Sequence, residues 1–207
     1  MRNHVGMKRV IAEGMKLPMA QEIARTYGPC NAISLQIMAA GVSRLENLEL
    51  VNVLVENMYD EAGRGNADQS HIRIFEKFMR AVDVDPARCP IEPGGLVDTY
   101  RKIFLAVGME RNEYEACGFL YGFEAVFPHI CDGIHQALLR GPLNLSEHDL
   151  YFFPLHAKGD VYHSEDIFKV MTIGADTSEK WDVCVRRAIY SASQIHLLFS
   201  RILSATS

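Results

Sequence analysis

PLHAKGDVYHSEDIFKV, residues 154–170, sets His156, Asp160 and His163 at intervals of four and three. On an α-helix advancing about 100° per residue, these three side chains fall within roughly 60° of one another and share one face. Two imidazoles and a carboxylate converging from one face form a nitrogen and oxygen donor set with positions left open. That pattern suits iron handling dioxygen better than structural zinc. With 8 histidines in the chain, random placement would produce this spacing roughly 0.02 times. The competing reading is a solvated helix face carrying ordinary polar residues, and the remaining sequence has to decide between them.

Working outward, helical periodicity dominates and no alternating strand pattern persists. The opening residues to about Tyr27 read as helix, ended by Gly28-Pro29, and residues 31–43 form a strongly apolar, buried segment. Ser43 followed by Glu46 has the form of a capping box for a helix from about Arg44 to Ala62, with the core stripe Leu50, Leu54 and Met58. A fourth helix, Asp68 to Val82, carries His71, Phe75, Phe78 and Val82 on one side. Residues 83–95, with three prolines and two glycines, make the longest loop. Helices follow over about 96–107 and 111–139, the second containing Pro128, which should kink or widen it. Ser146 is placed to cap the helix that carries the triplet. The last helix, 177–204, shows Trp181, Val185, Ala188, Ala192, Ile195, Phe199 and Ile202 at packing intervals. With no linker or repeat, residues 1–207 read as one all-α bundle.

Length, charge and cysteines narrow the function classes. A chain of 207 residues suits one well-buried domain. A net charge of -5 without a basic stripe argues against a nucleic-acid partner. The five cysteines show no CxxC spacing, as expected for reduced thiols in a cytoplasmic protein. No signal peptide or membrane-length apolar run is present in the sequence.

Three further residues stand where leucines would be expected. Glu61 lies eleven residues after Leu50 and seven after Leu54, within about 20° of each in projection, so it continues the core stripe. Glu124 sits among Cys117, Leu120, Cys131 and Leu138 on the sixth helix, and His71 begins the apolar stripe of its own. Burying ionised carboxylates without a partner costs several kcal/mol each. Glu61, His71, Glu124, His156, Asp160 and His163 sum to a charge of -3 with neutral imidazoles. Two divalent cations would balance that charge and leave a positive site able to take an oxygen ligand. Raised carboxylate pKa values or an arginine could also satisfy it. Taken singly, His71 is an ordinary core histidine, Glu61 could pair with Arg64, and Cys131 is a small buried hydrophobe. Gly159 and Pro154 leave the triplet helix marginal, so metal ligation should help to order residues 158–166.

Across ENMYDEAGRGNADQSHIRIF, GFLYGFEAVFPHI and HAKGDVYH, the sequence resembles the haem-oxygenase-like di-iron oxidases and oxygenases. The resemblance runs over roughly residues 20–203 and implies a bundle of seven to eight helices. It implies that all six residues are iron ligands, with Asp60 or Glu56 as substitutes for Glu61. It further implies two Fe(II) ions, with Mn possible, O2 as co-substrate, and a homodimer. The expected activity is oxidation of a small molecule in a biosynthetic pathway. An amino acid or amino-acid-derived metabolite would undergo N-oxygenation or oxidative C–C cleavage. Rival readings are a cofactor-independent helical enzyme, thiaminase-like or quinone-biosynthesis-like, with Cys131 as a nucleophile, and a non-enzymatic helical interaction module. A ferritin-like di-iron bundle would show paired Glu-x-x-His motifs, which are missing.

Overall fold

The structure, a computed structural model, describes residues 5–43, 45–106 and 113–205. Among the described residues it contains helices and no strand. In chain order they are α1 (Val5–Glu13), α2 (Leu17–Asn31), α3 (Ser34–Val42), α4 (Leu48–Glu61) and α5 (His71–Ala81). α6 (Leu96–Leu105), α7 (Glu113–Arg140), α8 (Glu147–Leu150), α9 (Phe152–Gly174) and α10 (Ser178–Ala205) follow. Short 3-10 turns at Ala67–Gln69 and Pro86–Arg88 lie in the connections on either side of α5.

α7 is the hub. α10 and α9 pack along it and α1 closes against it, while α2 joins α5 to α6, and α3 bridges α4 and α6. The α7–α10 contact depends on two glycines. A Cβ at Gly118 would lie 2.2 Å from the Cys184 carbonyl oxygen, and one at Gly122 the same distance from that of Ala188. Only hydrogen fits there, so the two backbones approach to a distance no other residue allows. This close seam rotates the first half of α10 relative to the expected stripe. Cys184 and Ser191 are buried where Val185 and Ala192 were expected, and Val185 is exposed, whereas Ile195, Phe199 and Ile202 are buried as expected.

Three local expectations are corrected. Gly28-Pro29 does not break α2. Gly28 lies inside the helix because a Cβ there would meet the Met79 sulfur at 2.7 Å, and Pro29 falls in the last turn, where it removes a single ladder bond. Ser43 and Glu46 do not form a capping box, since the Ser43 hydroxyl bonds back to the Ala40 carbonyl. Asn47 caps α4 instead, accepting from the Leu50 N–H at 3.0 Å, while the N–H groups of Glu46 and Asn47 donate to the Glu113 carboxylate at the start of α7. Arg44 lies outside the described residues, as do Val107, Arg111 and Asn112 at the ends of the expected fifth and sixth helices. Ser146 forms a capping box with Asp149, but the helix it starts is the short α8, and α9 begins separately at Phe152. α7 stays helical through Pro128, at which position the Glu124 carbonyl has no N–H to accept from. α9 likewise stays helical through Gly159.

An aromatic cluster forms the floor beneath the triplet. Tyr27, Phe75, Phe127, Phe152 and Phe199 meet at centroid distances of 4.7–6.4 Å. The Phe152 ring lies 4.0 Å from that of His156. Burying such rings contributes roughly 1.5–3 kcal/mol each. That stabilisation is what lets the neighbouring helix turns carry acids and imidazoles instead.

Candidate metal centre

All six candidate residues meet. Glu61 ends α4, His71 begins α5, Glu124 lies midway along α7, and His156, Asp160 and His163 occupy successive turns of α9. Five of them are at most 8 % exposed, and His163 is half-buried. The carboxylate of Glu61 belongs to two donor trios, one with His71 and His156 and the other with Asp160 and His163.

In the first trio, Glu61 Oε1 lies 2.8 Å from His71 Nδ1 and 3.7 Å from His156 Nε2, and the two ring nitrogens are 3.0 Å apart. His156 Nδ1 is 2.9 Å from the Phe152 carbonyl oxygen, which can only accept. The proton of neutral His156 is therefore on Nδ1, and Nε2 presents a lone pair. Glu61 and His156 both offer electron pairs to His71 Nδ1, where one N–H serves two acceptors. A cation at that point would be shared among all three.

In the second trio the donors face one another across the site. His163 Nε2 is 3.5 Å from Asp60 Oδ2, so that nitrogen carries the proton and Nδ1 turns inward. Nδ1 lies 3.8 Å from Asp160 Oδ1 and 4.0 Å from Glu124 Oε2. Both His163 Nδ1 and Asp160 Oδ2 are buried without a hydrogen-bond partner. Metal–ligand bonds run about 2.0–2.2 Å, so donors some 4 Å apart leave room for one ion between them. Leaving such groups unmet costs about 1–3 kcal/mol each, more when charged.

The electrostatics of the carboxylates differ sharply. Burial pushes Glu61 up, but the adjacent His156 and His71 rings outweigh it and hold the carboxyl well below the usual range. Burial and the Glu61 charge raise Glu124 to about 8, against a weaker opposing effect of Asn57. Asp160 is also raised, by burial and then by Glu124 and Glu61. Burial lowers His163, so its ring stays neutral and able to ligate. Three carboxylates in one dry site cannot all stay charged unless cations join them.

Asp60 and Glu56 are the alternatives to Glu61, and they take other places. Glu56 is exposed, and Asp60 pairs with Arg64 while facing the outer nitrogen of His163. Arg64 is therefore Asp60's partner and leaves Glu61 to the imidazoles. Asn57 escaped the sequence reading. It is 3 % exposed, one turn before Glu61, and continues the stripe that had been assigned to the half-buried Met58. The same projection that found Glu61 marks Asn57, but a neutral amide raises no question of charge. Cys131 is buried among apolar side chains, and burial pushes its thiol well above the ordinary value, which disfavours a thiolate nucleophile.

Two openings flank the cluster. An apolar cavity of about 70 Å³ reaches Glu61, Glu124, His156 and Asp160 from the side of α2, α3, α6 and α10. A more polar cleft of about 680 Å³ reaches His71, His163 and Asp60 from the other side. No helix among the described residues is long and apolar enough to cross a membrane.

A helical bundle whose carboxylates and imidazoles, drawn from four helices, converge in two donor trios has the ligand chemistry of a metal-binding helical protein. Residues 21–191 match the model of the family described as iron-containing redox enzyme, and the chain belongs to that family. No curated protein matches it. Its fold is haem-oxygenase-like, as seen in a solved structure from Shewanella denitrificans OS217, described as a domain of unknown function with that fold. That structure is 18% identical with a TM-score of 0.76, covering 99% of this chain and 84% of the other. A CADD-like protein of unknown function from Nostoc punctiforme PCC 73102 is also similar. It is 11% identical with a TM-score of 0.74, covering 97% of this chain and 87% of the other.

Proposed function

We propose that Glu61, His71, Glu124, His156, Asp160 and His163 hold two Fe(II) ions, Mn(II) being the alternative, and that the protein is an O2-dependent oxidoreductase acting on a small molecule. The observation that carries this reading is the second trio, where Asp160 Oδ2 and His163 Nδ1 are buried and unbonded, and His163 Nδ1 faces the Asp160 and Glu124 carboxylates. Protonation of Asp160 and Glu124 would relieve the charge, but at 3.8 and 4.0 Å neither carboxyl reaches His163 Nδ1 within hydrogen-bond distance, whereas a cation among them would meet all three. Bound iron would supply electrons for reduction of O2.

The chain's own groups have separable tasks. Glu61, common to both trios, would belong to the ligand set at either position. The Phe152 carbonyl orients His156, and Asp60, itself bonded to Arg64, orients His163, so both rings present the correct nitrogen inward. Phe127 and Phe152 pack edge-on and face-on around His156 and keep water from that side. Charge balance gives the choice of two cations rather than one, since three carboxylates offset only part of a total of +4.

The test is oxygen uptake by the iron-loaded chain across a panel of amino acids and other small carboxylic acids. Substrate-dependent uptake that His156→Ala abolishes, with the other helices intact, supports the proposal. Equal uptake by wild type and His156→Ala would remove it.

A further inference from the structure

The apolar cavity is also lined by polar groups that the metal centre does not use. Arg101 on α6 and Ser34 at the start of α3 both line it, and both Arg101 Nε and Ser34 Oγ are buried with no hydrogen-bond partner. The α3 N-terminus has no side-chain cap, since Ile33 stands at the N-cap position, so its partial positive charge adds to theirs. α3 packs directly on α6, which brings these features to one region.

Arg101 also retains unspent charge. Its Nη2 donates to Asp98 Oδ1 at 2.9 Å, but Asp98 simultaneously holds Lys102 Nζ at 2.7 Å and the Gly94 N–H at 2.9 Å. One carboxylate thus faces two cations and a net charge of +1 remains. The remaining wall is largely apolar, with Ile37, Met38, Leu120, Phe123 and Leu198, and the acids lining the cavity are the metal-centre residues Glu61, Glu124 and Asp160.

We propose that Arg101 and Ser34 form a seat for a carboxylate, so that an apolar molecule lies along the cavity with its carboxylate held there and its opposite end toward the six-residue cluster. The word substrate for that molecule rests on the oxidoreductase reading; the seat does not. Asp98 is already filled, so no free acid at this end would accept an adjacent ammonium group. A plain carboxylate therefore fits the seat better than the zwitterionic head of an α-amino acid, and it meets an unpaired N–H and O–H that apolar or neutral ligands would leave unmet.

Isothermal titration of the full-length, metal-free chain with hexanoate, and with hexanamide as the neutral match, reads the seat without any contribution from iron. Hexanoate should bind the wild type more tightly than hexanamide. Arg101→Gln should weaken hexanoate about tenfold and leave hexanamide unchanged, the loss expected for one charge-assisted hydrogen bond. Ser34→Ala, which breaks no bond present in the structure, should weaken hexanoate by a smaller factor and guards against a folding defect in the arginine variant. Equal affinity for the two probes, or hexanoate affinity unaltered in both variants, overturns the seat. Iron content, measured separately on the same preparations, reports on the oxidoreductase reading, so failure of one is not mistaken for failure of the other.

Discussion

α9 and α10 pack against the same helix and solve opposite problems. α10 meets α7 through glycine-to-backbone contact and buries Cys184, Ser191, Ile195, Leu198, Phe199, Ile202 and Leu203, mostly apolar. α9 is buried through Phe152, Phe153, Ile167 and Met171 at its two ends, and between them it buries His156 and Asp160. Its middle contributes little hydrophobic stabilisation and leaves polar groups unsatisfied. One helix makes the fold, and the other uses stability that the fold supplies.

The largest expected effect falls on the α7–α10 seam. Gly118→Val would drive side-chain carbon into the Cys184 carbonyl, and the backbones would have to separate. Thermal unfolding should show a loss of at least about 3 kcal/mol, or failure to fold. A variant with near wild-type stability would mean that the seam is looser than described.

Asp160→Asn sharpens the contrast from the α9 side. It removes a buried carboxylate whose pKa burial already raises, so the metal-free protein should lose less than about 1 kcal/mol and can gain stability, while iron binding falls by an order of magnitude or more. Denaturant melts of the metal-free form, paired with metal analysis, check both halves. Loss of stability with retained iron would reverse the assignment.

The smallest effect is at Gly159, where a Cβ would meet nothing within 4 Å. Gly159→Ala should stabilise the metal-free protein by about 1 kcal/mol through helix propensity. Hydrogen exchange in the metal-free chain should be faster over residues 158–166 than over residues 195–203 of α10, with metal closing the gap. Equal protection without metal would show that α9 needs no help.

Much of this was legible in the sequence because helical projection is reliable where a helix is regular. Glu61, His71, Glu124 and the triplet all violate an apolar stripe, or share a face, by counting alone, and the helices bring them together. What the sequence withheld was set by tertiary contact. Nothing local distinguishes Gly28, which makes room for Met79, from a glycine that ends a helix. The rotation of α10 follows from Gly118 and Gly122 on another helix, and Asn47 outcompetes Ser43 because α4 begins where Glu113 of α7 binds its first N–H groups. Asp60 as the outer partner of His163 depends on a contact across 103 positions. That Arg101 and Ser34 line one cavity depends on α3 docking against α6, which no periodicity announces.

The claim underlying all of this is that a pair of cations neutralises the buried acids. Anaerobic Fe(II) titration of the metal-free chain, read by calorimetry and metal analysis, tests it most directly. Two irons per chain should bind, and affinity should rise with pH up to about 8, because Glu124 is protonated below that value in the metal-free site and must release its proton to ligate. Binding of one iron per chain or fewer, or the same stoichiometry after Asp160 and His163 are both replaced by alanine, would contradict it.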